Sequence, residues 1–296
     1  ARWVVAAGLA AGLAGSPPAG ASGPAGSGGT GNGAASPATP AVRPDPAAFG
    51  RAPAIDALAL SPSGARLAFL ATGGGEPAVG VMQVAGRQVL DRLALGERRL
   101  VGLDWADDDR LLVTTYENEW LPGGSAGLRA YMRLQIYDVR TRRLVPFRTD
   151  RAAGPRDAVG QRPVVRRTAE GLRVYVRGPA GGLHLVSLDT GVGREIENAD
   201  DGGQYFLDAG GRVAAVASLD PVARAWRVLI RRPGAADLVR RGDSAVDLLV
   251  VHGFDAAGAA LIVSEEGADA RQFRTLSLAD GALGAPLALP DEPVSF

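Results

Sequence analysis

The sequence predicts an all-β protein, a β-propeller of four-stranded blades that follows a disordered N-terminal segment. Three observations indicate this fold. A short apolar stretch, a tight polar or glycine turn and a second apolar stretch recur five times, at a spacing of roughly 40–60 residues that is typical of repeat architectures. A further hairpin follows each copy, so each unit supplies four strands. No amphipathic helix of about ten or more residues interrupts the pattern. A β-sandwich with irregular spacing is the structural alternative.

The first hairpin of the repeat has its turn chemistry written in the sequence. Ser61-Pro62-Ser63-Gly64 separates two apolar runs. Proline fixes φ at the second turn position, and glycine is favoured at the fourth. Leu58 and Leu60 share one face of the preceding strand, because side chains alternate with period 2. The segment therefore predicts two antiparallel strands joined by a tight turn.

The later units repeat this order of strand, turn and strand. The four further copies span residues 101–115, 163–176, 205–216 and 250–263. The trailing hairpins begin with the apolar runs 79–84, 134–139, 183–188, 226–230 and 274–278. A last strand is predicted at 287–289, before a proline-rich stretch that stops at Phe296. We interpret this ending as a truncation, because an incomplete terminal blade would expose strand edges, and we expect the five units to belong to a larger ring.

Three segments are predicted along the chain. Residues 1–21 have the features of a secretory signal peptide, since one arginine precedes a short apolar run and Ala19-Gly20-Ala21 is a small-residue cleavage site. Residues 22–48 are rich in Gly, Ser, Pro and Ala, as in a flexible linker, and residues 49–296 form the propeller. The apolar run is too short to span a membrane. We therefore expect a periplasmic or secreted protein without a membrane span; a disordered tail is the alternative for residues 1–21.

The composition excludes several classes of site. The chain has 32 basic and 32 acidic residues, so it lacks the positive excess typical of nucleic-acid binding. It has no cysteine, which excludes thiol catalysis, thiolate metal sites and disulfides. His184 and His252 stand apart in predicted strands, and we interpret both as packed or edge residues. The acidic run Asp107–Asp109 reads as a solvated turn rather than a calcium loop. No metal or cofactor is predicted.

Two motif matches lack the structural context that their chemistry needs. Gly123–Gly127 fits G-x-S-x-G, and Asp243 and His252 follow in the order of α/β-hydrolases. A nucleophile elbow, however, requires a strand before the serine and a helix after it. Asp189-Thr190-Gly191 fits the aspartic-protease signature but has no second copy. We interpret both as loops or turns and predict no catalytic residue. A serine hydroxyl held by an imidazole would contradict that prediction.

Several stretches of the chain resemble the prolyl oligopeptidase family of serine peptidases, including its dipeptidyl and acylaminoacyl peptidase branches. Phe49–Pro53 leading into Leu60–Phe69 is similar to the opening blade of that family, and Val101–Leu112 and Leu134–Val139 are similar to its second unit. The resemblance covers about residues 49–296, and such stretches also occur in stand-alone periplasmic propellers. It implies that the propeller precedes a C-terminal α/β-hydrolase domain, which carries the catalytic Ser, Asp and His and is not part of this chain.

One stretch is predicted to bind substrate. Tyr116–Trp120 begins an insertion that runs through Leu128 and is expected on the propeller rim. The resemblance implies that Glu117 and Glu119 accept the positive amine of a peptide, as paired glutamates do in the dipeptidyl-peptidase branch, although here an asparagine separates them. The alternative is a solvated loop with Trp120 packed beneath it.

Two functions of different classes follow from the sequence. The first is the substrate-gating propeller of an exported serine peptidase, with a peptide as substrate and the α/β-hydrolase domain as partner. The second is a non-enzymatic periplasmic scaffold for protein–protein interaction. A propeller enzyme that handles a quinone or a sugar is a third reading, and it would require axial tryptophans and metal-ligand clusters that the sequence does not show.

Overall fold

The computed structural model describes residues 55–73, 75–121, 127–149, 157–198, 203–220, 222–243, 249–266 and 271–288. Over these residues the chain consists of β-strands, one 3-10 turn at Ala85–Arg87 and connecting turns, without an α-helix. The predicted signal peptide, the linker and the first residues of the predicted propeller lie outside the described residues.

The strands form five sheets that follow one another along the sequence. Sheet 1 contains β1 (Ile55–Leu60), β2 (Arg66–Ala71), β3 (Ala78–Gln83) and β4 (Gln88–Ala94). Sheet 2 contains β5 (Arg99–Trp105), β6 (Arg110–Leu121), β7 (Gly127–Asp138), β8 (Arg143–Pro146) and β10 (Ala158–Val159). Sheet 3 contains β9 (Arg148–Thr149), β11 (Val164–Thr168), β12 (Gly171–Arg177), β13 (Leu183–Val186) and β14 (Val192–Glu197). Sheet 4 contains β15 (Gln204–Leu207), β16 (Val213–Asp220), β17 (Ala225–Ile230) and β18 (Leu238–Asp243). Sheet 5 contains β19 (Val250–Phe254), β20 (Ala260–Glu266) and β21 (Arg271–Ser277).

Sheet 5 gains a fourth, irregular strand from the segment that follows β21. Leu283 forms a bridge with Leu276 of β21. The Gly284 N–H donates to the Thr275 carbonyl at 2.8 Å, and the Leu287 N–H donates to the Phe273 carbonyl at 2.7 Å. The chain therefore pairs along β21 from Leu283 onward, earlier than the predicted strand 287–289, although sheet 5 has three regular strands.

Four hydrophobic clusters hold the sheets together, and each cluster joins two consecutive sheets. Residues that share a cluster across neighbouring sheets include Val79 with Leu111, Ile136 with Val174, Leu183 with Val216, and Val228 with Leu261. A sandwich would instead bury one common core between two sheets. The serial packing is that of consecutive blades, so the described strands form a β-propeller fold, as the sequence predicts.

The face of sheet 1 that packs on sheet 2 is not the face that carries the predicted leucines. Ala59, Ala68 and Val81 lie in one cross-strand row, and all three belong to the cluster shared with sheet 2. Leu58 and Leu60 are 65% and 59% exposed. The alternation along the strand is thus as predicted, but small residues make the contact with the next blade.

The acidic turn between β5 and β6 connects two blades and is more than the solvated turn predicted from the sequence. Asp108 Oδ1 accepts hydrogen bonds from the Ser63 backbone N–H at 3.0 Å and from the Ser63 hydroxyl at 2.7 Å. Arg66 Nη1 lies 2.5 Å from Asp109 Oδ1. The predicted turn of sheet 1, in which the Gly64 N–H donates to the Ser61 carbonyl at 2.8 Å, is therefore bound to the equivalent turn of sheet 2.

The outer strand of sheet 2 is interrupted by a contact with sheet 3, which the apolar repeat does not predict. Strand β8 pairs with β7, and the Phe147 N–H extends this pairing to the Leu134 carbonyl at 2.9 Å. Strand β9 then runs parallel to β14, with Arg148 opposite Val192. Strand β10 returns to β7. Phe147 is fully buried in the cluster between the two sheets. It therefore anchors the chain at the point where it leaves sheet 2, pairs with sheet 3 and returns to sheet 2.

Candidate interaction site

Strands β6 and β7 form a long hairpin whose outer part pairs only with itself in the described structure. The two strands pair without a register shift over all 12 residues of each. Strand β5 reaches only as far as Tyr116, and the strands on the other side reach only as far as Met132. We call residues 117–121 and 127–131 the hairpin extension. The predicted insertion is therefore largely a continuation of two strands; residues 122–126, which include Ser125 of the G-x-S-x-G match, lie outside the described residues.

The period of a β-strand sorts the predicted site residues onto two faces. Glu117 and Glu119 lie on one face of the hairpin, whereas Tyr116, Asn118 and Trp120 lie on the other. Nearer the base of the hairpin, the glutamate face packs towards sheet 1 and the aromatic face packs towards sheet 3.

The glutamate face is organised around Arg133 of β7. Arg133 Nη2 lies 2.5 Å from Glu119 Oε2, and Arg133 Nε lies 2.8 Å from Glu117 Oε2. The second contact is an ion pair without hydrogen-bond alignment, since Arg133 Nε has no aligned acceptor. Asp157 pairs with Arg133 Nη1, and Arg98 Nε lies 2.7 Å from Glu117 Oε1. The Arg133 side chain is only 14% exposed, so the cluster joins the hairpin to the segments on both of its sides.

Both predicted site residues thus converge on one cation of the chain itself. A peptide amine that binds Glu117 and Glu119 would compete with Arg133 for the same carboxylate oxygens. Substrate binding by these two residues stays a prediction. Arg133 is not predicted by the sequence analysis. The hairpin register identifies it, because Arg133 lies opposite Thr115, on the same face as Glu117 and one residue pair away from it along that face.

The opposite face of the hairpin presents aromatic side chains to solvent. Trp120 is 67% exposed and Tyr116 is 40% exposed, so the prediction of a Trp120 packed beneath a loop is wrong. The Arg99 guanidinium lies 6.0 Å from the centre of the Tyr116 ring, at cation–π distance. The aromatic side chains of this face are thus accessible from solvent at two positions along β6.

One serine hydroxyl is held by an imidazole, which the sequence analysis does not predict. His252 Nε2 lies 2.7 Å from Ser264 Oγ, and Arg271 Nη1 lies 3.2 Å from the same oxygen. Ser264 has no exposed surface and lies within β20, whereas a catalytic serine is exposed at a strained turn beside an oxyanion hole. Burial, followed by the positive charge of Arg271, lowers the pKa of His252. A contact of the kind named above as contradicting the prediction of no catalytic residue is therefore present, but Ser264 Oγ is buried within a strand and is not exposed to a substrate as a nucleophile is.

The other sequence motifs have structural roles. His184 is 3% exposed and its Nδ1 lies 3.0 Å from the Gly182 carbonyl, which confirms a packed histidine. Asp189, of the aspartic-protease match, lies in a turn and accepts a hydrogen bond from Arg110 at 3.2 Å. Among the described residues, no group of three or more His, Cys, Asp or Glu side chains is arranged to hold a metal ion. No helix in the same part of the chain has the length and apolar character to cross a membrane.

Comparisons with known proteins give similarity at the level of structure alone. No family model and no curated protein sequence matches the chain. The C-terminal WD40 domain of Sif2 aligns with a TM-score of 0.46 and 13% identity over 82% of this chain and 62% of that one. The β-propeller domain of Myceliophteria thermophila Cps50 (Swd1) aligns with a TM-score of 0.37 and 17% identity over 82% of this chain and 89% of that one. A chain of the mitotic checkpoint complex aligns with a TM-score of 0.42 and 15% identity over 78% of this chain and 64% of that one. The chain thus spans less than two thirds of the first and third of these structures.

Proposed function

We propose that this chain is a propeller scaffold that binds another protein through the aromatic face of the hairpin extension. The observation that carries the proposal is the 67% exposure of Trp120, on a hairpin that extends past its neighbouring strands. Tryptophan, tyrosine and arginine dominate the binding energy of protein interfaces. Arg99 and Tyr116 lie at cation–π distance at the base of the hairpin extension, and Trp120 lies on the same face four residues farther along β6.

The ion-pair cluster on the opposite face supports the same role. Arg133 holds carboxylates from the hairpin and from Asp157, which lies just before β10. A hairpin held in one orientation loses little conformational freedom when a partner binds. The aromatic face is therefore preorganised for contact.

Paired affinity capture tests this proposal. The wild-type chain and Trp120→Ala are immobilised in parallel, a protein retained by the wild type is identified, and its purified form is titrated against both chains. We expect Trp120→Ala to weaken binding at least tenfold and Val222→Ala, which truncates a 92% exposed side chain in the turn between β16 and β17, to leave it unchanged. Equal affinity of the wild type and Trp120→Ala for that purified partner would contradict the proposal.

A second function is favoured by the convergence of Glu117 and Glu119 on one cation. Under this proposal the chain is the gating propeller of a serine peptidase, and a peptide amine replaces Arg133 on the two carboxylates. The catalytic α/β-hydrolase domain would lie in a further part of the protein. Calorimetric titration with the dipeptide Ala-Pro is the test: it should bind the wild type, while N-acetyl-Ala-Pro and the Glu117→Gln/Glu119→Gln variant give no binding. Equal binding of the acetylated peptide would exclude amine recognition.

Export is a proposal that rests on residues 1–21 and their signal-peptide pattern. Fusion of residues 1–48 to a reporter enzyme that is active only after export tests it. Reporter activity that survives replacement of Leu9 and Leu13 by arginine would argue against it.

A further inference from the structure

The edge of strand β6 in the hairpin extension has the features of a binding site for another β-strand. Strand β5 begins at Arg99, opposite Tyr116, so within the described residues 117–121 of β6 pair with β7 on one side only. An unpaired strand edge presents backbone N–H and C=O groups, and proteins bind extended peptides by adding them to such an edge. We call this unpaired side of residues 117–121 the free edge of β6.

The hydrogen bonds at the base of the hairpin show which backbone groups point to the free edge. The Asp109 carbonyl accepts from the Val139 N–H at 2.8 Å, on the β7 side. The Arg110 carbonyl accepts from the Ala106 N–H at 2.9 Å, on the β5 side. Consecutive residues of a strand direct their backbone groups to opposite sides, and β6 pairs with β7 without a register shift. Even-numbered residues of β6 therefore direct their N–H and C=O groups towards the β5 side.

Two even-numbered residues lie beyond β5, namely Asn118 and Trp120. The N–H and the C=O group of each point to the free edge, and no hydrogen bond joins these four groups to another residue that the structure describes. The intervening Glu119 bonds towards β7 and directs its side chain, which is 44% exposed, to the glutamate face. One extended segment of three residues can therefore make four backbone hydrogen bonds here.

The free edge of β6 lacks features that protect other strand edges of this fold. Strand β4 has an extra residue, Leu90, at a register shift with β3. Strand β18 carries the adjacent charges of Arg240 and Arg241. Bulges and charged side chains are the usual means by which an edge avoids pairing. At the free edge of β6 the register is regular, and both residues with outward backbone groups are uncharged.

We propose that an extended segment of another protein binds the free edge as an additional antiparallel strand. Directly opposite residues of an antiparallel pair share a face, so the partner residues opposite Asn118 and Trp120 lie on the aromatic face, where apolar side chains cover Trp120. The residue between them lies beside the Glu119 carboxylate, where a basic side chain stabilises the pair. The partner sequence is therefore apolar, basic and apolar in succession.

A second copy of the chain is a worse occupant of this edge than such a segment. Two free edges that pair through both of their outward residues would place one Glu119 opposite the other, and like charges in that position are destabilising. The inference rests on the proposed function, since it specifies how a partner protein binds the hairpin extension.

NMR titration of the full chain with the blocked peptide acetyl-Thr-Val-Lys-Val-Thr-amide, at up to about 5 mM so that weak binding is detected, tests the proposal. We expect saturable shifts of the amide signals of Asn118 and Trp120. N-methylation of either valine removes an N–H that faces β6 and should weaken binding at least tenfold. N-methylation of the lysine is the matched control, because its N–H points away from β6, and binding should stay within threefold.

Proline substitution tests the same hydrogen bonds from the side of the protein. Asn118→Pro removes an N–H that is not bonded to β7, a position at which a strand tolerates proline, and should weaken binding at least tenfold. Ala130→Pro is the control, because Ala130 lies opposite Asn118 and its N–H points to the other edge of the hairpin, as the Leu134 carbonyl does in its bond to Phe147. Binding should stay within threefold, and circular dichroism checks that each variant is folded.

Absence of peptide binding, equal effects of methylated valine and methylated lysine, or equal effects of the two proline variants would overturn strand addition. Trp120→Ala separates this result from the proposed function, because it keeps the backbone of the edge. A purified partner that is weakened by Trp120→Ala but not by Asn118→Pro would support the aromatic contact and overturn strand addition. A partner unaffected by Trp120→Ala but weakened by Asn118→Pro would support strand addition and contradict the aromatic contact.

Discussion

Ser63 of sheet 1 donates its hydroxyl hydrogen to Oδ1 of Asp108 in sheet 2, across 2.7 Å. The two residues are 45 positions apart in sequence, and each lies in the tight turn of its own hairpin. The corresponding turns of consecutive blades are therefore joined by a hydrogen bond to a charged acceptor, which is about twice as strong as one between neutral groups.

This contact predicts an acid-dependent part of the stability. The Ser63 hydroxyl and then the Ser63 backbone N–H lower the pKa of Asp108 below its ordinary value of 3.8. A lowered carboxyl pKa gives stability that is complete above pH 3.8 and is lost as the pH falls towards the folded-state pKa. We expect Asp108→Asn to flatten the dependence of the urea midpoint on pH below about 4. Ser63→Ala should flatten it in the same way, and fully additive effects in the double variant would show that the two residues act independently.

The second prediction concerns the contact between Phe147 and Gly193, where the chain passes between sheets 2 and 3. Phe147 is fully buried, so Phe147→Ala should lower the free energy of unfolding by about 3–5 kcal/mol. A Cβ at Gly193 would lie 2.6 Å from Phe147 Cε2, so Gly193→Ala should cost about 1–3 kcal/mol in the wild type. In the Phe147→Ala background it should cost clearly less, because the clashing ring is gone. Urea denaturation measures the free energy of unfolding of each variant. If Gly193→Ala lowers it equally in the two backgrounds, the Phe147 ring does not restrict a side chain at position 193.

Arg133 gives a third prediction, for the hairpin extension. Arg133→Met leaves the carboxylates of Glu117, Glu119 and Asp157 without their shared cation, and should lower the free energy of unfolding by about 1–3 kcal/mol. The lower end of that range applies because the three carboxylates are 26–44% exposed and partly screened by solvent. Arg129→Met is the control, since Arg129 is exposed and lies opposite Glu119 on the same hairpin. Its effect should stay within about 0.5 kcal/mol, and a loss as large as that of Arg133→Met would contradict the special position of Arg133.

Local chemistry accounts for the part of the fold that the sequence predicts. The turn at Ser61–Gly64 and the repeat of strand, turn and strand depend on residues close in sequence, and these are present as predicted. The parallel pairing of β9 with β14 depends on two residues without an apolar pattern of their own. Their position is decided by the burial of Phe147 in a cluster contributed by two sheets, which local sequence does not reveal.

The candidate site is likewise predicted only in part from local sequence. Glu117 and Glu119 are singled out by the resemblance to the dipeptidyl-peptidase branch, in a stretch expected to be an insertion. That they share a face follows from the strand β6, in which residues two apart lie on the same side. Their partner Arg133 depends on the cross-strand register, and the exposure of Trp120 depends on where β5 stops pairing. Neither is encoded in a short motif.

The last prediction concerns the effect of His252 protonation on stability below neutral pH. Burial and then the charge of Arg271 lower the pKa of this imidazole below its ordinary value of 6.5. The unfolded chain therefore takes up a proton at higher pH than the folded chain does. The contribution of His252 to stability is complete above pH 6.5 and falls as the pH decreases towards the folded-state pKa. His252→Gln retains a hydrogen-bonding group for Ser264 but does not titrate, so the urea midpoint should fall less steeply as the pH decreases below 6.5. Because the chain has two histidines, the variant also assigns the His252 signal in a proton NMR titration. A His252 signal that titrates at or above 6.5, or an unchanged slope in His252→Gln, would mean that the hydrogen bond of His252 to Ser264 does not persist in solution.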